Sequence, residues 1–295
     1  MAMTLRQLQI FAKVAERESV SRAAEEMALT QSAVSMALSE LERYSDAPLF
    51  NRQGKRLHLN DRGRQLLPLV ATLQRQYQEI EMFLDESLLK PRGILHVGAS
   101  TTIGNYLMPE LITRFSQSYP EATVLLQVGN AAQIETGLAR GELDVGLSEG
   151  FQMNPALTAR KWRDDELVIV TGPQHPWVTE KQIGPEQLQQ AAWIVREHGS
   201  GTRDVFEAAL KEKQISCTVA MELGHTEAIK KAVEAGAGCA CLSRMAVQRE
   251  LDHGWLVEIA TCLNLKRDLI LLTKEGSYRS ILFQTFCDGL FHQTS

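Results

Sequence analysis

Apolar residues near the N-terminus recur at helical spacing. Leu5, Leu8, Phe11, Val14 and Ala15 make one stripe, with Thr4 before it as a cap. Ser19 and Ser21 interrupt, and either can cap a second helix carrying Ala23, Ala24 and Met27. Thr30 opens a third. Val34, Leu38 and Leu41 lie on one of its faces, and Gln31, Ser32, Ser35 and Ser39 fall largely on the other. So short a join between the second and third helices forces a steep crossing, the helix-turn-helix arrangement. The outer face of the third helix is polar and short-chained, which suits a DNA major groove. Pro48-Leu49-Phe50 then stops the helix. Asn51-Arg52-Gln53-Gly54-Lys55-Arg56 precedes the alternating Leu57-His58-Leu59, predicting a basic turn between two short strands. Such a wing lies along the phosphate backbone.

Asn60 is placed to cap a long helix running to about Leu89. Leu66, Val70, Leu73, Tyr77, Ile80 and Leu84 alternate spacings of four and three along it, a heptad seam. A lone helix has nowhere to bury that stripe, so the seam predicts pairing with a second copy. Pro68 is expected to kink or restart the helix. Lys90-Pro91-Arg92-Gly93 breaks the pattern. From there strands alternate with helices: strands at 94–99, 123–129 and 144–148, with helices at about 103–118 and 131–140 between them. Later strands are expected at 167–171, 193–195, 217–223, 239–242 and 267–272. Helices at about 202–213, 226–236 and 244–251 separate them, and a last one spans Ser277 to Phe291. This alternation means a parallel α/β sheet. Two crossings, near 160–170 and 263–269, predict a hinged two-lobed clamp.

The fold class expected is therefore α/β, with an N-terminal all-α winged helix-turn-helix (1–60), a linker helix (61–90) and a two-lobed domain (91–295). The first lobe covers about 91–163 and 265–295, the second about 164–264.

Charge sharpens this picture. The whole chain carries a net −5, which alone argues against a nucleic-acid partner. Its distribution argues the reverse: residues 1–64 hold ten Lys/Arg against eight Asp/Glu, and Arg52, Lys55, Arg56, Arg62 and Arg64 cluster with only Asp61 opposing them. No stretch approaches a membrane span and the start lacks a secretory pattern, so the expected setting is the cytosol. Five cysteines without paired metal spacing fit a reducing compartment. Cys239 and Cys241 would share one strand face, either as small buried residues or as a reactive thiol sensor or metal site. The seven scattered histidines lack metal-ligand spacing, and no Gly-x-Ser-x-Gly nucleophile elbow, phosphate-binding Gly-x-x-x-x-Gly-Lys loop or His-Glu-x-x-His site is expected. No metal, cofactor or catalysis is expected, and an enzyme with an attached DNA-binding domain is the least favoured reading.

The run Leu5 to Gly63 resembles the DNA-binding domain of LysR-type transcriptional regulators. The residues that carry the resemblance are Leu5-Arg6-Gln7-Leu8, Phe11, Ser21-Arg22-Ala23-Ala24 and Thr30-Gln31-Ser32-Ala33-Val34-Ser35. Leu38, Leu41, Glu42, Leu49-Phe50-x-Arg52 and Asn60-x-x-Gly63 continue it. It implies that Thr30, Gln31, Ser32 and Ser35 face promoter DNA, and that Arg52, Lys55 and Arg56 touch phosphates. The second domain is similar to the family's effector domain, with Gly141-Glu142-Leu143-Asp144-Val145-Gly146 among the matches. That implies the fold of periplasmic solute-binding proteins, a dimer or tetramer of the chain, and RNA polymerase as a further partner. The runs Ala99 to Tyr106, Met221 to Gly224 and Glu227 to Lys230 resemble family members that respond to sulfite or related oxyanions in sulfur metabolism.

Ligands in open α/β folds sit at strand carboxyl ends and helix starts. Ser100, Thr101, Thr102 and Asn130 occupy such places in the first lobe, as do Ser200, Gly201, Thr202, Arg203 and Thr226 in the second. Hydroxyls, helix amides and a guanidinium favour an anion. Glu149, after the third strand, would repel one if it faced the cleft; the alternatives are that it turns outward, pairs with Arg203 or His198, or meets a ligand's proton or ammonium. The expected effector is a small anion such as sulfite, with a small organic carboxylate as the alternative.

Overall fold

Thr4 starts the first helix by a reciprocal cap: its hydroxyl accepts from the Gln7 amide, and the Gln7 side chain accepts from the Thr4 amide. The computed structural model describes residues 3–45, 47–53, 56–84, 90–150, 154–276 and 279–292. They form two units. The N-terminal unit holds α1 (Leu5–Arg17), α2 (Val20–Glu26), α3 (Gln31–Ser45), β1 (Phe50–Gln53), β2 (Arg56–Leu59) and α4 (Asp61–Leu84). Leu8, Phe11 and Val14 of α1 meet Ala23 and Ala24 of α2 and Val34, Leu38 and Leu41 of α3 in one core. The small residues of α2 let the helices approach closely. Phe50 caps this core, its ring 5.4 Å from that of Phe11. β1 and β2 pair antiparallel from Phe50↔Leu59 to Gln53↔Arg56, forming the wing.

Asn60 caps α4 by accepting from the Gly63 amide at 2.9 Å, and its own amide holds the Pro48 carbonyl at 2.6 Å. A Cβ at 63 would fall inside contact distance of the Leu49 carbonyl, so the Asn60-x-x-Gly63 spacing joins wing to helix. Pro68 lies within α4 and does not end it. The expected seam divides. Val70 is buried in the winged-helix core and Leu66 packs against it. That corrects the expectation that both face a second copy, because their face of α4 is already covered by α1 and the wing. Leu73, Tyr77 and Ile80 remain exposed, as does Leu69. The helix is described as far as Leu84, and the expected continuation to Leu89 lies outside the described residues.

The second unit begins with β3 (Gly93–Ser100), α5 (Thr101–Tyr106), α6 (Met108–Ser118), β4 (Ala122–Gly129), α7 (Ala131–Ala139) and β5 (Val145–Glu149). The single helix expected at 103–118 is two, parted at Leu107, with Pro109 in the first turn of α6. β6 (Leu157–Thr171) follows as one long strand. Then come α8 (Pro185–Gln190), β7 (Ala192–Val195), α9 (Gly201–Glu212), β8 (Thr218–Glu222), α10 (Thr226–Glu234), β9 (Cys239–Ser243), α11 (Arg244–Asp252) and β10 (Val257–Ile259). β11 (Lys266–Lys274) and α12 (Ile281–His292) close the chain's described course; the expected start of α12 at Ser277 falls outside the described residues.

The strand order is β4-β3-β5-β11-β6-β9-β7-β8, with β10 pairing β6. β3, β4 and β5 are parallel, and so are β7, β8 and β9. β6 joins the two sets. Its residues Leu157 to Glu166 pair with β11, and Leu167 to Thr171 pair with β9. Each set has its own cores. Val97, Val145, Leu147, Leu269 and Phe286 anchor the first lobe, and Trp193, Phe206, Ile169 and Cys241 one face of the second. Among the described residues no helix is long and apolar enough to cross a membrane.

Candidate DNA-reading face and effector cleft

Thr30 caps α3: its hydroxyl accepts from the Ala33 amide at 3.2 Å and lies 3.0 Å from the Ser32 hydroxyl. Its role is to start the helix. Gln31, Ser32, Ser35 and Ser39 are exposed. Beside them stands Met36, 64% exposed, a residue the sequence reading passed over. In the wing, Arg52 lies on β1 opposite Leu57, and Arg56 is exposed at the start of β2. Lys55 lies outside the described residues.

The cleft is built from strand ends. Ser100 ends β3, and Thr101 and Thr102 begin α5; all three are buried. Ser100 donates to the Glu149 carboxylate at the end of β5. Thr101 donates to the Gly129 carbonyl at 3.2 Å and accepts from Arg196 at 3.2 Å. Across the cleft, Ser200 and Thr202 sit buried at the start of α9. Thr202 accepts from Arg267 at 2.9 Å. A Cβ at Gly201 would collide with the Glu149 carbonyl oxygen, so only glycine allows the lobes to approach this closely. Asn130 caps α7 by accepting from the Gln133 amide at 3.0 Å, and reaches the His198 carbonyl at 3.5 Å. Thr226, first in α10, accepts from Arg196 at 3.4 Å.

Two arginines organise the site, and sequence reasoning missed both. Arg196, 3% exposed, ties Thr101 of one lobe to Thr226 of the other while pairing with Glu197 at 2.8 Å. Its position just past the buried strand Trp193-Ile194-Val195 was the signal available. Arg267 pairs with Asp165 at 2.7 Å and approaches Glu149 at 3.6 Å. Its second terminal nitrogen is buried with no partner, and so is the Ser200 hydroxyl. Glu149 is thus neighboured by Ser100 and Arg267, not by the expected Arg203 or His198. Arg203 corrects the sequence expectation. It is held by Glu207 at 2.6 Å, Glu222 at 2.6 Å and the Arg196 carbonyl at 2.9 Å. Its guanidinium braces the chain behind Arg196 instead of offering donors to a ligand.

Contrary to the expectation that no such motif occurs, Gly146-Leu147-Ser148-Glu149-Gly150 has the letters of a nucleophile elbow. Ser148 sits inside β5, paired with Ile270, and its buried hydroxyl has no hydrogen-bond partner. An elbow needs an exposed serine at a strand-to-helix turn with a base on its hydroxyl, and this one has neither. Cys239 and Cys241 do share a strand face, packed beside Trp193. Burial pushes the Cys239 thiol up to about 12 and that of Cys241 higher.

A winged helix-turn-helix followed by a two-lobed ligand-binding fold defines a regulator that reads DNA under the control of a small molecule. Residues 5–64 match the bacterial regulatory helix-turn-helix protein, lysR family, and residues 90–294 match the LysR substrate binding domain. The chain belongs to the LysR-type transcriptional regulators, a family of DNA-binding proteins rather than enzymes. It is 38% identical to YeiE, an uncharacterized HTH-type transcriptional regulator of Escherichia coli (strain K12), over 98% of this chain and 97% of that one. It is 30% identical to the CcmR regulatory domain of Synechocystis PCC6803, solved in complex with 2-PG, covering 68% of this chain and 97% of that one with a TM-score of 0.64. Full-length CbnR, solved with its target DNA, has the same fold, with a TM-score of 0.72 at 18% identity over 98% of this chain and 99% of that one.

Proposed function

We propose that this regulator responds to a small oxyanion held between the lobes, with sulfite the leading candidate. One observation carries the reading: the Ser200 hydroxyl and one terminal nitrogen of Arg267 are buried donors without partners. Such groups are costly to leave unmade, and a polyatomic anion would satisfy both. Arg267 also holds Thr202, two residues from Ser200 in the same turn, so both donors belong to one corner of the cleft. Ser100 and Thr102, at the end of β3 and the start of α5 in the other lobe, are buried as well. Sulfite is favoured by the resemblance of Ala99 to Tyr106 and Glu227 to Lys230 to sulfite-responsive family members. A small organic carboxylate is the second reading, since the same donors suit it and the CcmR domain was solved with 2-PG.

On DNA, Gln31, Ser32 and Ser35 read base edges, while Arg52, Lys55 and Arg56 hold phosphates. Leu73, Tyr77, Ile80 and Leu84 pair with a second copy in the cytoplasm, and two such dimers make a tetramer. An effector acts only through its different affinity for two arrangements of the lobes.

Calorimetric titration with sulfite, sulfate, thiosulfate and small carboxylates tests the effector. Saturable binding of sulfite, lost in Thr102→Val with promoter binding intact, is the expected result. Binding of a carboxylate alone selects the second reading. Failure of every anion to bind, or unchanged affinity in Thr102→Val, overturns the site.

A further inference from the structure

The centre of the recognition face is apolar. Val34, Leu38 and Leu41 fix the buried side of α3. At 3.6 residues per turn, Ser32, Met36, Ser39 and Arg43 follow one another along the opposite side. All four are exposed. Met36 is the one apolar residue among the four, flanked along the helix by two serines too short to cover it. A methionine here leaves most of its apolar side chain in water. On α1 the exposed positions are instead charged: Arg6, Glu16 and Arg17.

We propose that Met36 reads the C5-methyl group of a thymine in the major groove. Each base pair presents a distinct pattern there, and the thymine methyl is its one apolar feature. Serines 32 and 35 can donate to or accept from either kind of base edge, so they discriminate weakly among bases. Met36 supplies what they lack, a contact that distinguishes thymine from cytosine by shape and hydrophobicity. Its flexible, unbranched side chain can reach past the two serines and settle on the methyl. The proposal concerns DNA specificity and stands whatever the effector is.

The test removes one methyl group. Full-length protein selects its preferred duplex from a randomised pool, and each thymine of that duplex is replaced in turn by uracil. At one base pair the wild type should bind uracil about fourfold more weakly, the worth of one methyl-sized apolar contact. Met36→Ala should bind the thymine and uracil duplexes equally, and Met36→Leu should keep the preference for thymine. No thymine whose methyl matters to the wild type would overturn the proposal. So would an undiminished thymine preference in Met36→Ala. A loss of oligomer mass in Met36→Ala, with the thymine preference retained, would place Met36 against a second copy and overturn it equally.

Discussion

At Gly201 the backbone of the second lobe meets the end of β5, and a single methyl decides whether it can. Gly201→Ala is expected to push the lobes apart there, weakening effector binding at least tenfold while promoter binding persists; calorimetry and gel shift on the same sample separate the two. The polar residues of the site were legible from sequence where they lie at strand ends in the local pattern, as Ser100 to Thr102 and Ser200 to Thr202 do. Arg196 and Arg267 were not, because a guanidinium reaches its partners through space: Arg267 takes Asp165 and Thr202, far from it in sequence. Arg203 misled for the same reason, since nothing local announces Glu222 as its partner. Thiol chemistry gives a second residue-scale expectation. The thiols of Cys239 and Cys241 are buried and held well above their ordinary range, so few thiolates form near neutral pH. Iodoacetamide on the native protein should leave both unmodified, as mass spectrometry of peptides would show; rapid labelling of either would restore the reactive-pair reading.

Among the elements, α4 best separates what periodicity tells from what it does not. The spacing of Leu66 to Leu84 is legible as a stripe, but spacing cannot say which surface covers it. The wing and α1 take the first turns, and Leu73 to Ile80 are left uncovered. Val70→Ala is therefore expected to cost about 2 kcal/mol of winged-helix stability through lost burial and a cavity, seen as a lower melting temperature. Leu73→Glu with Ile80→Glu should leave that melting temperature alone and reduce the sedimenting mass and promoter affinity. Equal effects from the two sets would erase the division. The split of α5 from α6 and the unbroken run of β6 were less legible. Leu107 has no breaker's chemistry of its own, and residues 157–166 gain their extended shape from β11, a partner more than a hundred residues away.

For the molecule, contacts between the lobes lie beside the cleft as well as in it. The Tyr106 hydroxyl of α5 donates to Glu227 of α10 at 2.7 Å. Lys230 lies 3.5 Å from that hydroxyl and is itself held by Glu250 at 2.9 Å. Burial, then the bond to Glu227, push the Tyr106 phenol up to about 12. A raised value in the folded state means the contribution is complete below the ordinary tyrosine value near 10 and disappears as pH rises through about 12. The melting advantage of wild type over Tyr106→Phe should accordingly hold at neutral pH and vanish in strong alkali. An advantage that stays the same through that range would mean that the phenol's ionisation is not linked to folding. The course of the chain through the lobes has a consequence of another kind, in the order of synthesis. Residues of the second lobe, from Leu167 to Leu265, are continuous in the chain, and its cores are complete once they have emerged. The first lobe begins earlier yet needs Leu269, Leu271, Phe283, Phe286 and Leu290 to fill its core. On the ribosome the half that is started first must wait for the half that is started later, its apolar sheet open to any chaperone or neighbour until the last strand and helix arrive. A chain halted after Leu265 should hold a folded second lobe against protease and surrender the first.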